Sequence, residues 1–154
     1  IKKLSECAGH VGIAGGQFLD LNYEKKKIDF KKIINMQRKK TGKLFEFCCL
    51  APAVMAKKSL KTQKEMSMIG EELGLLFQIA DDLLDIKGYK KNTGKPVKKD
   101  KKKGKSTLIK LFGYEKTLEF ALDRKKTIIN KLKKYGKKSN KLIEVSDFIL
   151  NRSF

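Results

Sequence analysis

Histidine occurs once in this chain, as His10, and cysteine three times. The cysteines are odd in number, Cys48 and Cys49 are adjacent, and no Cys-x-x-Cys pair exists. That pattern argues against a disulfide framework or a zinc site and points to a reducing cytoplasm. A Ser-His-Asp or Cys-His centre has only His10 to draw on, and a structural histidine is the plainer reading. No apolar stretch approaches the ~20 residues needed to cross a bilayer, so no stable membrane insertion is expected. The opening residues "IKKLSECAGH" lack the apolar core of a signal peptide. They also lack an initiator Met, which reads as a chain beginning mid-protein.

Arginine is scarce, although the net charge is +20. Only Arg38, Arg124 and Arg152 stand among 37 basic residues. Arginine is the better bidentate reader of phosphates and bases, so the excess of lysine weakens a nucleic-acid reading. The lysines are spread along the chain, and "KKNTGKPVKKDKKKGK" is the one dense run. No RNP-like motif or zinc finger accompanies it. A lysine-rich proteome explains the charge more simply, and no nucleic-acid partner is expected.

Prolines number two, Pro52 and Pro96, and no alternating strand pattern persists. The chain therefore reads as all-α, and 154 residues suit one domain. Residues 3–22 are rich in apolar and small side chains, with "GIAGGQFLDL" as a close-packing stretch. Helices are predicted over 29–39, over 41–58 with a kink at Pro52, and over 62–87. The middle of this last helix, "LGLLFQIA", is apolar nearly all round, as a buried helix should be. A lysine-rich loop is predicted from Gly88 to Lys105, long enough to suggest a lid. Helices near 106–112, 114–135 and 139–151 follow, with Gly113 and Gly136 as stops.

The chemistry concentrates in "FQIADDLLD", residues 77–85. Asp81 and Asp85 are four residues apart and share a helical face; Gln78 precedes Asp81 by one turn and Asp82 flanks it. Like charges at this spacing repel. The predicted helix ends soon afterwards, where its dipole also disfavours anions. Such a cluster calls for cations. Hard carboxylate oxygens without Cys or His select Mg²⁺, which takes one or two protein carboxylates and completes its shell with phosphate oxygens and water. The alternative is a solvated helix end with scattered salt bridges. An EF-hand is excluded, because Leu83 and Leu84 occupy the interior of the cluster. "GKST", Gly104 to Thr107, mimics the end of a P-loop, but the glycine required five residues earlier is Lys99. Lys105, at a helix start, still suits an anion.

Taken together, these segments resemble the trans-prenyl diphosphate synthases, and the bacterial farnesyl diphosphate synthases among them. "GGQFLDL" is similar to the family's GQxxDL segment. "RKKTGKL" resembles the segment whose Lys-Thr pair, here Lys40 and Thr41, contacts the allylic diphosphate. "FQIADDLLD" resembles the second aspartate-rich motif. "TGKPVKKDKKKGKST" keeps the family spacing of Gly-Lys, Asp and Gly-Lys-Ser. Two departures stand out: Lys98 replaces a usual Gly, and Leu108-Ile109 replace a usual Tyr-Pro.

The resemblance implies the C-terminal part of the isoprenoid-synthase helical bundle. Residues 1–154 would be the C-terminal half of one catalytic domain, because the family's first aspartate-rich motif and its trailing arginines find no match. It implies a prenyltransferase that condenses isopentenyl diphosphate with an allylic diphosphate, with several Mg²⁺ ions as cofactors and a homodimer as the assembly. Asp81, Asp82 and Asp85 would hold metal. Gln17, Lys40, Thr41, Gln78, Lys95 and Lys105 would contact substrate, with Lys40, Thr41, Gln78 and Asp81 catalytic. The same implication predicts that residues 1–154 alone are inactive. A noncatalytic subunit of a heteromeric synthase is the nearest alternative, and a basic helical nucleic-acid binder a more distant one. Product length depends on residues before the first aspartate motif and is not readable here.

Overall fold

A computed structural model describes residues 1–92 and 107–151, with the side chains of 87–92 set aside. Every regular element among the described residues is helical. The order is α1 (Lys2–Ala8), α2 (Ile13–Asn22), α3 (Phe30–Gln37), a π-helical turn (Arg38–Gly42), α4 (Lys43–Met55), α5 (Leu60–Asn92), α6 (Leu108–Phe112), α7 (Tyr114–Leu132), a 3₁₀ segment (Lys133–Ser139) and α8 (Asn140–Asn151).

Local chemistry sets several of these boundaries. Asp29 caps α3 by accepting the Lys32 N–H at 2.9 Å. Ser59 plays the same part before α5, accepting from the Thr62 N–H at 3.3 Å. Gly113 (φ 82°) and Gly136 (φ 56°) adopt left-handed backbone, which ends a helix at little cost for glycine. Both fall where the sequence predicts stops.

α5 is the axis of the molecule. Ile69, Leu73, Leu75, Leu76, Ile79, Ala80 and Leu83 are all buried along it. Around them pack Ile33 of α3, Leu108 of α6, Ala121, Ile128 and Leu132 of α7, and Ile149 and Leu150 of α8. Each leucine or isoleucine among them contributes about 1.5–3 kcal/mol by leaving water. Phe30, Phe112 and Phe120 close one flank, with ring centroids 5.6 Å apart in both pairs.

Residues 3–22 fall in α1 and α2, joined by a turn in which the Gly12 N–H bonds the Gly9 carbonyl at 2.9 Å. The structure corrects two expectations. The helix predicted over 41–58 begins as α4 at Lys43, runs through Pro52 and stops at Met55. α5 continues to Asn92, so residues 88–92, predicted as loop, are helical. The rest of the predicted loop, with Lys95, Lys98, Asp100 and Lys105, lies outside the described residues. The longer α5 also removes one argument about the aspartates. Asp85 stands seven residues before Asn92, beyond the last turn in which the helix dipole is felt. Their mutual repulsion alone remains as the reason to seek a cation.

Candidate functional site

The site forms where α2, the π-turn and α5 meet, and two glycines bring the backbones together. A Cβ on Gly16 would lie 2.1 Å from the Lys40 nitrogen. A Cβ on Gly74 would lie 2.6 Å from the Gly42 Cα. Neither contact is tolerable, so "GGQFLDL" and "GLLFQ" carry glycine at the places that let α2 and α5 press on the π-turn from two sides. π-helical turns are rare and recur at functional sites. This one holds Lys40 and Thr41.

Lys40 makes an ion pair with Asp20 of α2. Thr41 donates its hydroxyl to Gln78 Oε1 at 2.9 Å. Gln78 in turn donates its amide to Asp82 Oδ1 at 3.2 Å. Gln37, at the end of α3, donates to the other oxygen, Asp82 Oδ2, at 3.1 Å. Four elements thereby contribute to two polar groups, Asp20–Lys40 and Thr41–Gln78–Asp82–Gln37, which adjoin at Lys40 and Thr41 of the π-turn. The resemblance assigned Lys40, Thr41, Gln78 and Asp82, and the fold gathers these four. Gln78 reaches Asp82 across the i to i+4 spacing of this helix. Asp81 is half-buried and Asp85 exposed, each on the same stretch of α5. Gln17 is exposed on α2 and belongs to none of these bonds.

Among the described residues, no three carboxylate, imidazole or thiolate groups converge closely enough to hold an ion unaided. Asp81 and Asp85 share a helical face while Asp82 lies about 100° round from Asp81, so this helix alone does not close a cage. Mg²⁺ does not require one, since substrate and water complete its shell.

Sequence reasoning missed two groups here. Gln37 is 2 % exposed and lies on the apolar face of α3 beside Ile33 and Met36; a lone amide on that face was the available signal. Glu72 is buried within the apolar run of α5. Its Oε1 accepts from Arg38 Nη2 at 2.5 Å, and Arg124 Nη1 of α7 lies 3.7 Å from its Oε2. Arg38 opens the π-turn, so this cluster anchors the turn from beneath. Lys43, just after the turn, bonds Glu46 at 2.5 Å and Glu71 at 2.6 Å. Burial pulls its pKa down, yet the two carboxylates outweigh burial and hold it above the ordinary value.

The profile of the polyprenyl synthetase family matches residues 2–147. The farnesyl diphosphate synthase of Bacillus subtilis (strain 168) is 30% identical over 155 residues, covering 99% of this chain and 51% of the relative. That of Micrococcus luteus is 29% identical over 153 residues, covering 99% and 53%. Among solved structures, an FPP/GFPP synthase from Zymomonas mobilis superposes with a TM-score of 0.82 at 31% identity, over 97% of this chain and 49% of the other. A geranyltransferase from Helicobacter pylori, complexed with magnesium and isoprenyl diphosphate, gives 0.78 at 26% identity, over 98% and 50%. The chain spans about half the length of the curated relatives it matches.

Proposed function

The chain belongs to the polyprenyl synthetase family, and we propose that it forms one catalytic wall of a prenyl diphosphate synthase. The reaction joins isopentenyl diphosphate to an allylic diphosphate such as dimethylallyl or geranyl diphosphate, giving a short-chain product such as farnesyl diphosphate. One observation carries this reading: the Asp20–Lys40 ion pair and the Thr41–Gln78–Asp82 hydrogen-bond chain meet at adjacent residues of the π-turn. A merely structural helix junction has no use for so many polar groups beside an apolar core. The relatives' greater length suits a C-terminal part of the catalytic domain, with the other wall drawn from the remainder and the whole assembled as a homodimer in the cytoplasm.

The donor set fits magnesium. Asp81, Asp82 and Asp85 offer hard oxygens, while the cysteines sit apart on α1 and α4. Magnesium held by these aspartates would neutralise charge gathering on the departing diphosphate. Lys40 adds a fixed ammonium toward the same oxygens, and Asp20 keeps it from swinging away. Lys95 and Lys105 are expected to add further charge. Thr41 spends its proton on Gln78, so its oxygen lone pairs face outward. The Gln78 carbonyl presents the negative end of a dipole beside them. Both then favour an allylic cation by preorganised electrostatics. Gln37 and Gln78 fix the Asp82 carboxylate in one orientation, and the apolar side chains of α5 keep water from the cation.

The test is a prenyl transfer assay on the intact protein with isopentenyl and dimethylallyl diphosphates. Asp81→Ala is expected to lower turnover by about a hundredfold or more and to weaken its dependence on Mg²⁺. Near wild-type turnover at limiting Mg²⁺ would overturn the assignment.

A further inference from the structure

The sequence spreads its lysines, but the fold collects many of them. The turn between α4 and α5 carries four lysines within residues 57–64, and the end of α7 with the 3₁₀ segment carries five within 131–138. Neither segment contains an acidic residue or an arginine. The two meet at Glu65, which pairs with Lys134 at 2.6 Å and accepts the Tyr135 hydroxyl at 2.7 Å. Glu65 is the carboxylate that adjoins both lysine-rich segments, bonded to Lys134 on one side and within the field of Lys61 on the other. This end of α5 lies 16 residues before Asp81, about 24 Å along the helix axis, so it is remote from the site above.

Apolar side chains tip the same end. Met55 is 83% exposed and Leu60 82%, and they bracket Lys57 and Lys58. The turn between them is pinned: Lys58 N–H bonds the Ala53 carbonyl at 2.9 Å, and the Gln63 amide bonds the Lys58 carbonyl at 2.7 Å. The two apolar side chains are thus held outward by a fixed backbone.

We propose that this end of the bundle is a peripheral docking surface for the anionic face of a lipid bilayer. Lysines gain from a negatively charged headgroup layer within a Debye length. Exposed apolar side chains beside them gain from the boundary between headgroups and acyl chains. A nucleic acid would satisfy the lysines but leave Met55 and Leu60 in water. The absence of arginine also removes the usual phosphate fork. No helix among the described residues is long and apolar enough to span a bilayer, and the proposed contact is one of surface lysines and two side chains. Docking by this end turns the aspartate-bearing end away from the lipid.

The test is flotation of the intact protein with vesicles of phosphatidylcholine, alone or mixed with phosphatidylglycerol. Binding is expected to the mixed vesicles only, and raised salt should release it. Each lysine near such a surface is worth about fivefold in partitioning. Lys57→Gln/Lys58→Gln/Lys61→Gln should therefore weaken binding about a hundredfold. Met55→Ser/Leu60→Ser should weaken it while leaving the salt dependence intact. All five positions are exposed, and circular dichroism melts check that each variant is folded. Lys26→Gln/Lys27→Gln/Lys31→Gln removes the same charge elsewhere and should bind like the wild type. Equal binding to neutral vesicles, an equal loss in this control, or retention of RNA without vesicle binding would each overturn the proposal.

Discussion

Gln37 and Asp82 are 45 residues apart in sequence and joined by a hydrogen bond of 3.1 Å. The bond runs between two helices, from an almost fully buried amide to a carboxylate of the aspartate cluster. The amide's own oxygen finds no partner among the described residues. A buried acceptor left unpaired costs about 1–3 kcal/mol, so Gln37 is a poor choice for stability. Its value lies in holding Asp82. Gln37→Leu is therefore expected to leave the melting temperature unchanged or raise it, while turnover falls about tenfold for a bond worth ~1.4 kcal/mol. Thermal melts and prenyl transfer rates on one preparation decide this; a fall in both would mark Gln37 as structural.

Lys40 and Asp20 should behave as a unit. The Asp20 side chain is only 11% exposed, so Lys40→Ala leaves a poorly solvated carboxylate behind. The single variant should lose both stability and turnover. Lys40→Ala/Asp20→Asn should regain most of the stability and none of the turnover, a non-additive cycle. Lys39→Ala, on the same turn, should change turnover far less. Equal losses from Lys39 and Lys40 would reduce the contact to general electrostatics.

Glu72, Arg38 and Arg124 form an ion cluster in which Glu72 Oε2, Arg38 Nε and Arg124 Nε have no hydrogen-bond partner among the described residues. The Arg38 side chain is 38% exposed and Arg124 keeps its pair with Asp123, so removing Glu72 costs less than breaking a fully buried pair. Glu72→Leu is expected to lose about 1–3 kcal/mol by denaturant unfolding. Glu72→Leu/Arg38→Leu/Arg124→Leu should recover most of the loss. If the triple variant keeps the stability and loses turnover, the cluster serves to hold the π-turn in place. If it keeps both, the cluster serves neither.

Cys49 supplies a pH signature. Burial pushes its thiol up from 9.0 to about 11. Between those values the unfolded chain releases a proton that the folded chain keeps. The unfolded state then binds fewer protons, so stability falls as pH rises through this window and is level below it. Cys49→Ala should flatten that slope in melts taken across the window. In alkylation at pH 8, the exposed Cys48 should be modified well before Cys49, as peptide mass spectrometry would read.

Much of this protein was written in local pattern. The all-round apolar run of α5 has only one stable place, the centre of a helical bundle. The stops at Gly113 and Gly136 follow from backbone freedom at a single residue. Asp81, Asp82 and Asp85, one turn apart on a helix, declare a need for cations whatever surrounds them. Lys40, Thr41 and Gln78 were reached only through the resemblance of short motifs in the right order.

Other features were decided by the tertiary structure alone, because they depend on distances between elements far apart in sequence. Nothing near Gln37 or Glu72 in the chain announces Asp82, Arg38 or Arg124 as partners. The π-helical turn Arg38–Gly42 is approached closely by α2 at Gly16 and by α5 at Gly74, contacts that only the packed fold creates. The lysines look evenly spread in one dimension, and only the antiparallel return of α7 along α5 brings residues 131–138 beside residues 57–64. Helical periodicity lies within one helix's reach, so it was legible. Pairing between helices is fixed by packing of the whole core, and no short stretch of sequence carries it.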